Sequence, residues 1–268
     1  MTSRTGGTTT WRRYVAIGDS TTEGMDDPLP AGDDGIVRYR GWADRLAEHV
    51  DRAQGGGLEY ANLAVRGRTT AAIREGQLLA ALELQPDLVT VVAGVNDLLR
   101  PSFDVRRFVR DLQAMQAAFV RENATVLTFT MPDLSPVLPL ARPLRRRLEA
   151  MNEGIRRATH RSGALLLDLA AHPVTTDPRL WSEDRLHANS LGHERIAAAL
   201  AHRLGLPTAT DAWQQPLPAS PPRRRGEVAA AELVWMRTHL GPWVLRRVRG
   251  RSSGDGVRPK RPDPGPLS

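Results

Sequence analysis

Residues 14–24 read Tyr14-Val15-Ala16-Ile17-Gly18-Asp19-Ser20-Thr21-Thr22-Glu23-Gly24. The opening apolar run, with no polar alternation, predicts a strand buried on both faces, as in a parallel sheet. Gly-Asp-Ser ends that run with residue types that begin turns and cap helices. The same grammar repeats outward from this point. Residues 58–62, 88–93, 125–129 and 164–167 are further short apolar runs. Helix-like segments cover 42–51, 69–84, 104–121, 144–161 and 190–204, with Gly55-Gly56-Gly57, Pro86 and Pro101 at the joints. Five strands alternating with helices predict an α/β fold, a three-layer α/β/α sandwich around a five-stranded parallel sheet. Ligands of such sheets gather beyond the carboxyl ends of the strands, so functional residues are expected just after strands.

Four segments meet that condition. Gly18-Asp19-Ser20 follows the first strand, and Asn62-Leu63-Ala64-Val65-Arg66-Gly67-Arg68-Thr69 follows the second. Gly94-Val95-Asn96-Asp97 follows the third, and Asp184-Arg185-Leu186-His187 lies between the fifth strand and the final helix. Each has a plain structural reading by itself: Ser20 as a helix cap, Gly67 as a turn glycine, Asn96 and Asp97 as caps, Asp184 and His187 as a surface pair. Their conjunction, in this order and at these places, favours chemistry. A serine hydroxyl needs an adjacent base, histidine titrates near neutrality, and a carboxylate three residues earlier can reach its Nδ1. Ser20 is not framed as Gly-x-Ser-x-Gly, which argues against the nucleophile elbow of α/β-hydrolases.

Over residues 13–204 the four blocks resemble those of the SGNH (GDSL-like) hydrolases, whose Ser, Gly, Asn and His lie in four separate blocks. The segments Tyr39-Arg40-Gly41-Trp42-Ala43-Asp44 and 186–196 look similar to that family as well. The resemblance implies a flavodoxin-like fold and a serine esterase with no cofactor and no metal. Ser20 would be nucleophile, His187 general base and Asp184 its orienting carboxylate; the Ser20 and Gly67 N–H groups and the Asn96 amide would hold the oxyanion. Asp19, Arg66 and Arg68 are further candidate substrate contacts, the two arginines for an anionic group. The implied partner is a small acyl ester, thioester or lipid-like molecule. The rival reading is a non-catalytic module binding an anionic ligand in the same crevice.

With 268 residues, 41% of them hydrophobic, the chain can bury a sizeable core. The absence of cysteine excludes disulfides, thiolate catalysis and cysteine-ligated zinc. No run is long and apolar enough for a spanning helix, and residues 1–13 do not read as a secretory signal, so a cytoplasmic location is expected. The net charge of +7 is local: residues 212–268 hold eleven Arg/Lys against four Asp/Glu, which leaves 26 of each sign in the body. The expected division is a hydrolase domain over 1–207, a Pro/Arg-rich linker over 208–226 and a basic segment over 227–268, partly helical and then disordered. That segment, with Trp235 and Trp243, either contacts an anionic membrane surface weakly or docks on the body. One short arginine cluster is no sequence-specific nucleic-acid motif. Trp42 and Trp181 are packing residues or acyl-pocket walls; Asp26, Asp27, Asp33 and Asp34 are expected in a solvated loop. His193 and His202 match no zinc pattern, and the oligomeric state is not legible.

Overall fold

The structure, a computed structural model, describes residues 9–30, 37–135, 138–219, 234–240, 242 and 253–267. Five strands pair in parallel: β1 (Arg13–Gly18), β2 (Glu59–Asn62), β3 (Leu88–Val92), β4 (Thr125–Phe129) and β5 (Leu165–Leu167). The expected five-stranded sheet is corrected by one strand. β6 (Arg261–Pro266) adds antiparallel to β2, giving the order β5-β4-β3-β1-β2-β6. Every residue of β3, and every residue of β1 after Arg13, is buried, the burial that a doubly covered parallel sheet demands.

The helices are α1 (Ser20–Glu23), α2 (Gly41–Gln54), α3 (Thr70–Glu83), α4 (Val95–Leu98), α5 (Val105–Arg121), α6 (Arg145–Ser162) and α7 (Ser190–Leu204). Helices α2 and α7 pack on each other, and α3, α5 and α6 form a second row. In α5 the buried residues Phe108, Leu112, Met115 and Phe119 recur at helical spacing. Its Asp104 cap accepts from the Arg106 and Arg107 N–H groups, at 2.8 and 3.2 Å. None of the described helices is long and apolar enough to cross a membrane.

The expected disordered end lies partly on the body. Lys260 Nζ donates to the Tyr39 and Arg40 carbonyls and sits 2.8 Å from Asp44, whose carboxylate also accepts from Tyr60 Oη. Arg261 Nε donates to the Tyr60 carbonyl. The Pro/Gly content of β6 suggests disorder only while the chain is considered alone; at a sheet edge, proline is tolerated because it need not donate inward. The β2 edge, which would otherwise present unpaired backbone, is thereby covered. Nor does packing stop at residue 207. Trp213 is buried, its ring 4.6 Å from that of His172, and its carbonyl accepts from Arg195. Within 227–268, Trp235 is buried on the body, whereas Trp243 lies outside the described residues, as do Asp33 and Asp34.

Two glycines bring the start of α2 against the end of α1. Gly24 and Gly41 have φ of 96° and 75°, and a Cβ on Gly41 would lie 2.3 Å from the Gly24 Cα. Their backbones touch, so neither tolerates a side chain. Gly41→Ala is expected to cost roughly 2–4 kcal/mol in chemical denaturation, with left-handed strain and backbone overlap acting together. A loss near zero would mean that this contact does not constrain the fold.

Candidate active site

The end of β1 is tied down before the chain turns. Gln77 of α3 accepts from the Gly18 N–H and donates to the Gly18 carbonyl, both at 2.9 Å. Asp19 then caps α1, its carboxylate accepting from the Thr21 N–H at 3.1 Å. Ser20 is thus the first helical residue, where a helix leaves N–H groups without intrahelical acceptors. From beneath, the buried Asn62 amide donates to the Thr22 carbonyl at 2.9 Å.

The Asp184–His187 loop is organised by one carboxylate. Asp184 Oδ1 accepts from the Leu186 and His187 N–H groups at 2.8 and 2.9 Å, and from Ser182 Oγ at 2.7 Å. Its Oδ2 lies 2.6 Å from His187 Nδ1. The loop closes through Arg185 in the left-handed region, φ 61°, and the Trp181–Ala188 bridge. Asn189 caps α7 behind it, accepting from the Gly192 N–H. His187 Nε2 reaches Ser20 Oγ at 2.8 Å across 167 residues. The three expected residues therefore form one continuous chain of hydrogen bonds, with Ser20 and His187 each only 8% exposed.

Charge in this chain is directional. Burial would raise the Asp184 pKa, but the His187 contacts and the loop donors overcome it and hold the carboxyl far below its usual range. Burial would lower the His187 pKa; the Asp184 hydrogen bond and the charges of Asp184, Asp26 and Asp19 overcome it, and the net shift is upward. Asp19, fully buried, is pushed up despite its bonds to Thr21 and Asn96. His193 is the contrast. It accepts from the Trp42 N–H on Nδ1 and donates from Nε2 to the Met25 carbonyl, and burial lowers it to about 4.

The remaining expected residues divide. Gly67, with φ 74°, offers an N–H that meets no acceptor among the described residues. Asn96 Nδ2 lies 3.1 Å from both Asp19 Oδ2 and the Arg68 carbonyl, so both its hydrogens are engaged. Arg66 is committed elsewhere: its N–H and guanidinium bond the buried Glu23, and its guanidinium covers the Tyr39 ring. That pairing removes it as a free anchor for an anionic substrate. Asp19 is buried and holds neighbours in place, while the side chain of Arg68 is exposed. Asp97 accepts from the Thr70 N–H and hydroxyl and joins α4 to α3, a structural duty. Neither His193 nor His202 joins a cluster able to hold a metal among the described residues.

A feature missed in the sequence is the cavity beside the triad, about 510 Å³. Thr21, Val95 and Asp184 lie at its end beside the Asp184–His187–Ser20 chain; Trp42, Phe129 and Trp235 are among the apolar walls. Trp42 and Trp181 both line it, so packing and wall-forming are one role here. Trp235 arrives from the tail, its Nε1–H donating to the Asp184 carbonyl at 3.3 Å with Arg185 over its ring.

Replacing Asp184 with Asn removes the principal group that favours the charged imidazole. His187 is then expected to titrate at lower pH by NMR, because burial, which opposes charge, remains. An unmoved midpoint would show that Asp184 does not govern the histidine.

Residues 16–195 match the GDSL-like lipase/acylhydrolase family. A comparison with curated protein sequences finds no match. Among solved structures, the lipase/acylhydrolase from Enterococcus faecalis is similar at 23% identity and a TM-score of 0.58, covering 78% of this chain and 100% of that one. LAE5, an α/β hydrolase enzyme from the metagenome of Lake Arreo, shares 22% identity with a TM-score of 0.59, over 73% and 95% of the two chains. An acetyl xylan esterase variant from Geobacillus stearothermophilus shares 16%, with a TM-score of 0.60 over 75% and 98%. These likenesses concern the fold; the family match spans well over half of the sequence, and the chain belongs to the GDSL-like lipase/acylhydrolase family.

Proposed function

We propose that this enzyme hydrolyses carboxylic esters bearing an apolar acyl chain, through an acyl-serine intermediate. The observation that carries the reading is the hydrogen-bond chain Asp184–His187–Ser20, opening beside an apolar cavity of about 510 Å³. Ser20 Oγ attacks the ester carbonyl carbon while its proton passes to His187 Nε2. The tetrahedral oxyanion is held by the Ser20 and Gly67 N–H groups and by the Asn96 amide, which exchanges its Arg68 carbonyl partner for the oxyanion. His187 returns the proton to the leaving alkoxide, releasing the alcohol. A water attacks the acyl-serine by the same steps in reverse, releases the acid and restores Ser20. Asp184 keeps Nδ1–H oriented and stabilises the imidazolium without itself taking the proton.

The acyl chain is assigned to the cavity because its catalytic end abuts Thr21 and Val95, the neighbours of the nucleophile and of the amide donor. Binding there removes apolar surface from water at roughly 25 cal/mol per Å². A non-catalytic anion-binding role is weakened by the Arg66–Glu23 pairing.

In a p-nitrophenyl ester series, kcat/KM is expected to rise from acetyl to medium-chain esters. Ser20→Ala should remove at least about 10³-fold of the activity with the fold intact. Asn96→Ala should cost on the order of 10²- to 10³-fold, mostly in kcat. Trp235→Ala should weaken the chain-length preference more than the acetyl rate. Equal rates for wild type and Ser20→Ala would defeat the hydrolase mechanism; a flat or falling chain-length profile would defeat the acyl assignment alone.

A further inference from the structure

We propose that Asp26 is a second carboxylate for His187, a positioning residue that joins Asp184 in stabilising the imidazolium formed when Ser20 gives up its proton. The inference rests on the reading of His187 as the general base. Asp26 lies on the turn after α1, outside the four sequence blocks that point to the site, and Ser182 connects it to the triad.

Three observations place it there. Asp26 has φ 68°, a left-handed conformation that residues with a Cβ seldom adopt. Both neighbours are pinned: the Met25 carbonyl accepts from His193, and the Asp27 carboxylate binds the Arg45 guanidinium and the Gly41 N–H. The turn therefore presents residue 26 in a fixed direction, and its Oδ2 lies 4.0 Å from His187 Nδ1.

The third observation concerns protons. Ser182 Oγ is 2.6 Å from Asp26 Oδ2 and 2.7 Å from Asp184 Oδ1. A hydroxyl carries one proton and can donate to only one of two carboxylates at a time. While His187 is neutral, two carboxylates share that single proton at short range. Once Nε2 takes the serine proton, the positive charge faces both acids, and the arrangement gains most in the state that resembles the transition state. A group whose benefit appears only in that state raises kcat rather than substrate affinity.

The charged and titratable groups facing His187 come from every side of it. Asp184 and Arg185 belong to its own loop, Asp19 precedes α1, Asp26 follows α1, and His193 lies on α7. Arg185 is turned onto the Trp235 ring, 4.9 Å from its centroid. The acids divide the work among them. Asp184 builds the loop, Asp19 caps α1 and engages Asn96, and Asp26 faces Ser182 and the imidazole. Burial opposes charge on His187, and the acids outweigh it, with Asp26 contributing after Asp184.

The test is Asp26→Asn in the full chain, with Asp26→Gly beside it. Asn keeps the shape and tolerates the left-handed backbone, and Gly adopts that backbone more readily still, so loss of fold is separable from loss of charge. A negative neighbour favours protonated histidine, so its removal lowers the histidine pKa. His187 in both variants is expected to titrate about half a unit to one unit lower by NMR. The acidic limb of the kcat/KM profile should move to lower pH by the same amount, while the plateau kcat falls about 3- to 10-fold and KM stays. Unmoved titration and acidic limb in folded variants would overturn the proposal. Absence of ester turnover in the wild type would instead refute the proposed function, and the NMR titration would still decide whether Asp26 governs the histidine.

Discussion

The backbone leaving β1 has to meet its hydrogen bonds without water, because the strand is buried on both faces where it ends. Most of the local structure follows from that need. Gln77 pairs with both polar groups of Gly18, and the Leu63 and Val65 N–H groups extend the ladder onto the Ala16 and Gly18 carbonyls. Asn62 receives the Ala64 N–H and holds the Thr22 carbonyl. With no slack in these partners, the first turn of α1 sits in one place and Ser20 with it. The contact between Gly24 and Gly41 then sends the chain into α2 against α7, the helix whose Asn189 cap backs the histidine loop.

The site uses short-range order to meet long-range order. The backbone around Asp184 and His187 is organised chiefly within residues 181–189, by side chain to backbone bonds, with Asp26 and Trp235 touching that loop from outside. Ser20 is organised by the sheet. The two meet because β1 and β3 stand at the point where successive strands are added on opposite sides, which opens a crevice at their carboxyl ends. Asn96, following β3, arrives at the same crevice. Burial around the pair removes competing water, so each charge is felt strongly and the three nearby acids weigh on one imidazole.

The C-terminal region changes the meaning of the net charge. Its excess of basic residues left membrane contact and docking on the body both open; two of those residues dock: Lys260 is met by Asp44 and two carbonyls, and Arg261 by the backbone of β2 and β6. Trp235 adds a wall to the cavity beside the triad. The tail thus contributes an edge strand to the sheet and one wall of the cavity beside Asp184.

Read alone, the amino-acid order determined the alternation of strands and helices and the placement of four chemical blocks after strands. These signals are local: apolar runs, helical spacing and punctuation by glycine and proline. Strand and helix limits accordingly agree to within a few residues for β1 to β5 and the long helices. Tertiary structure decided what depends on distance. It made a strand of a Pro/Gly-rich end, because only a neighbouring sheet edge makes such a segment extend and pair. It diverted Arg66 to Glu23, 43 residues earlier, and enclosed a cavity between segments no spacing rule connects. It brought Asp26 beside His187 through a left-handed turn whose geometry comes from Gly41, Arg45 and His193 and leaves no trace in the residues around position 26.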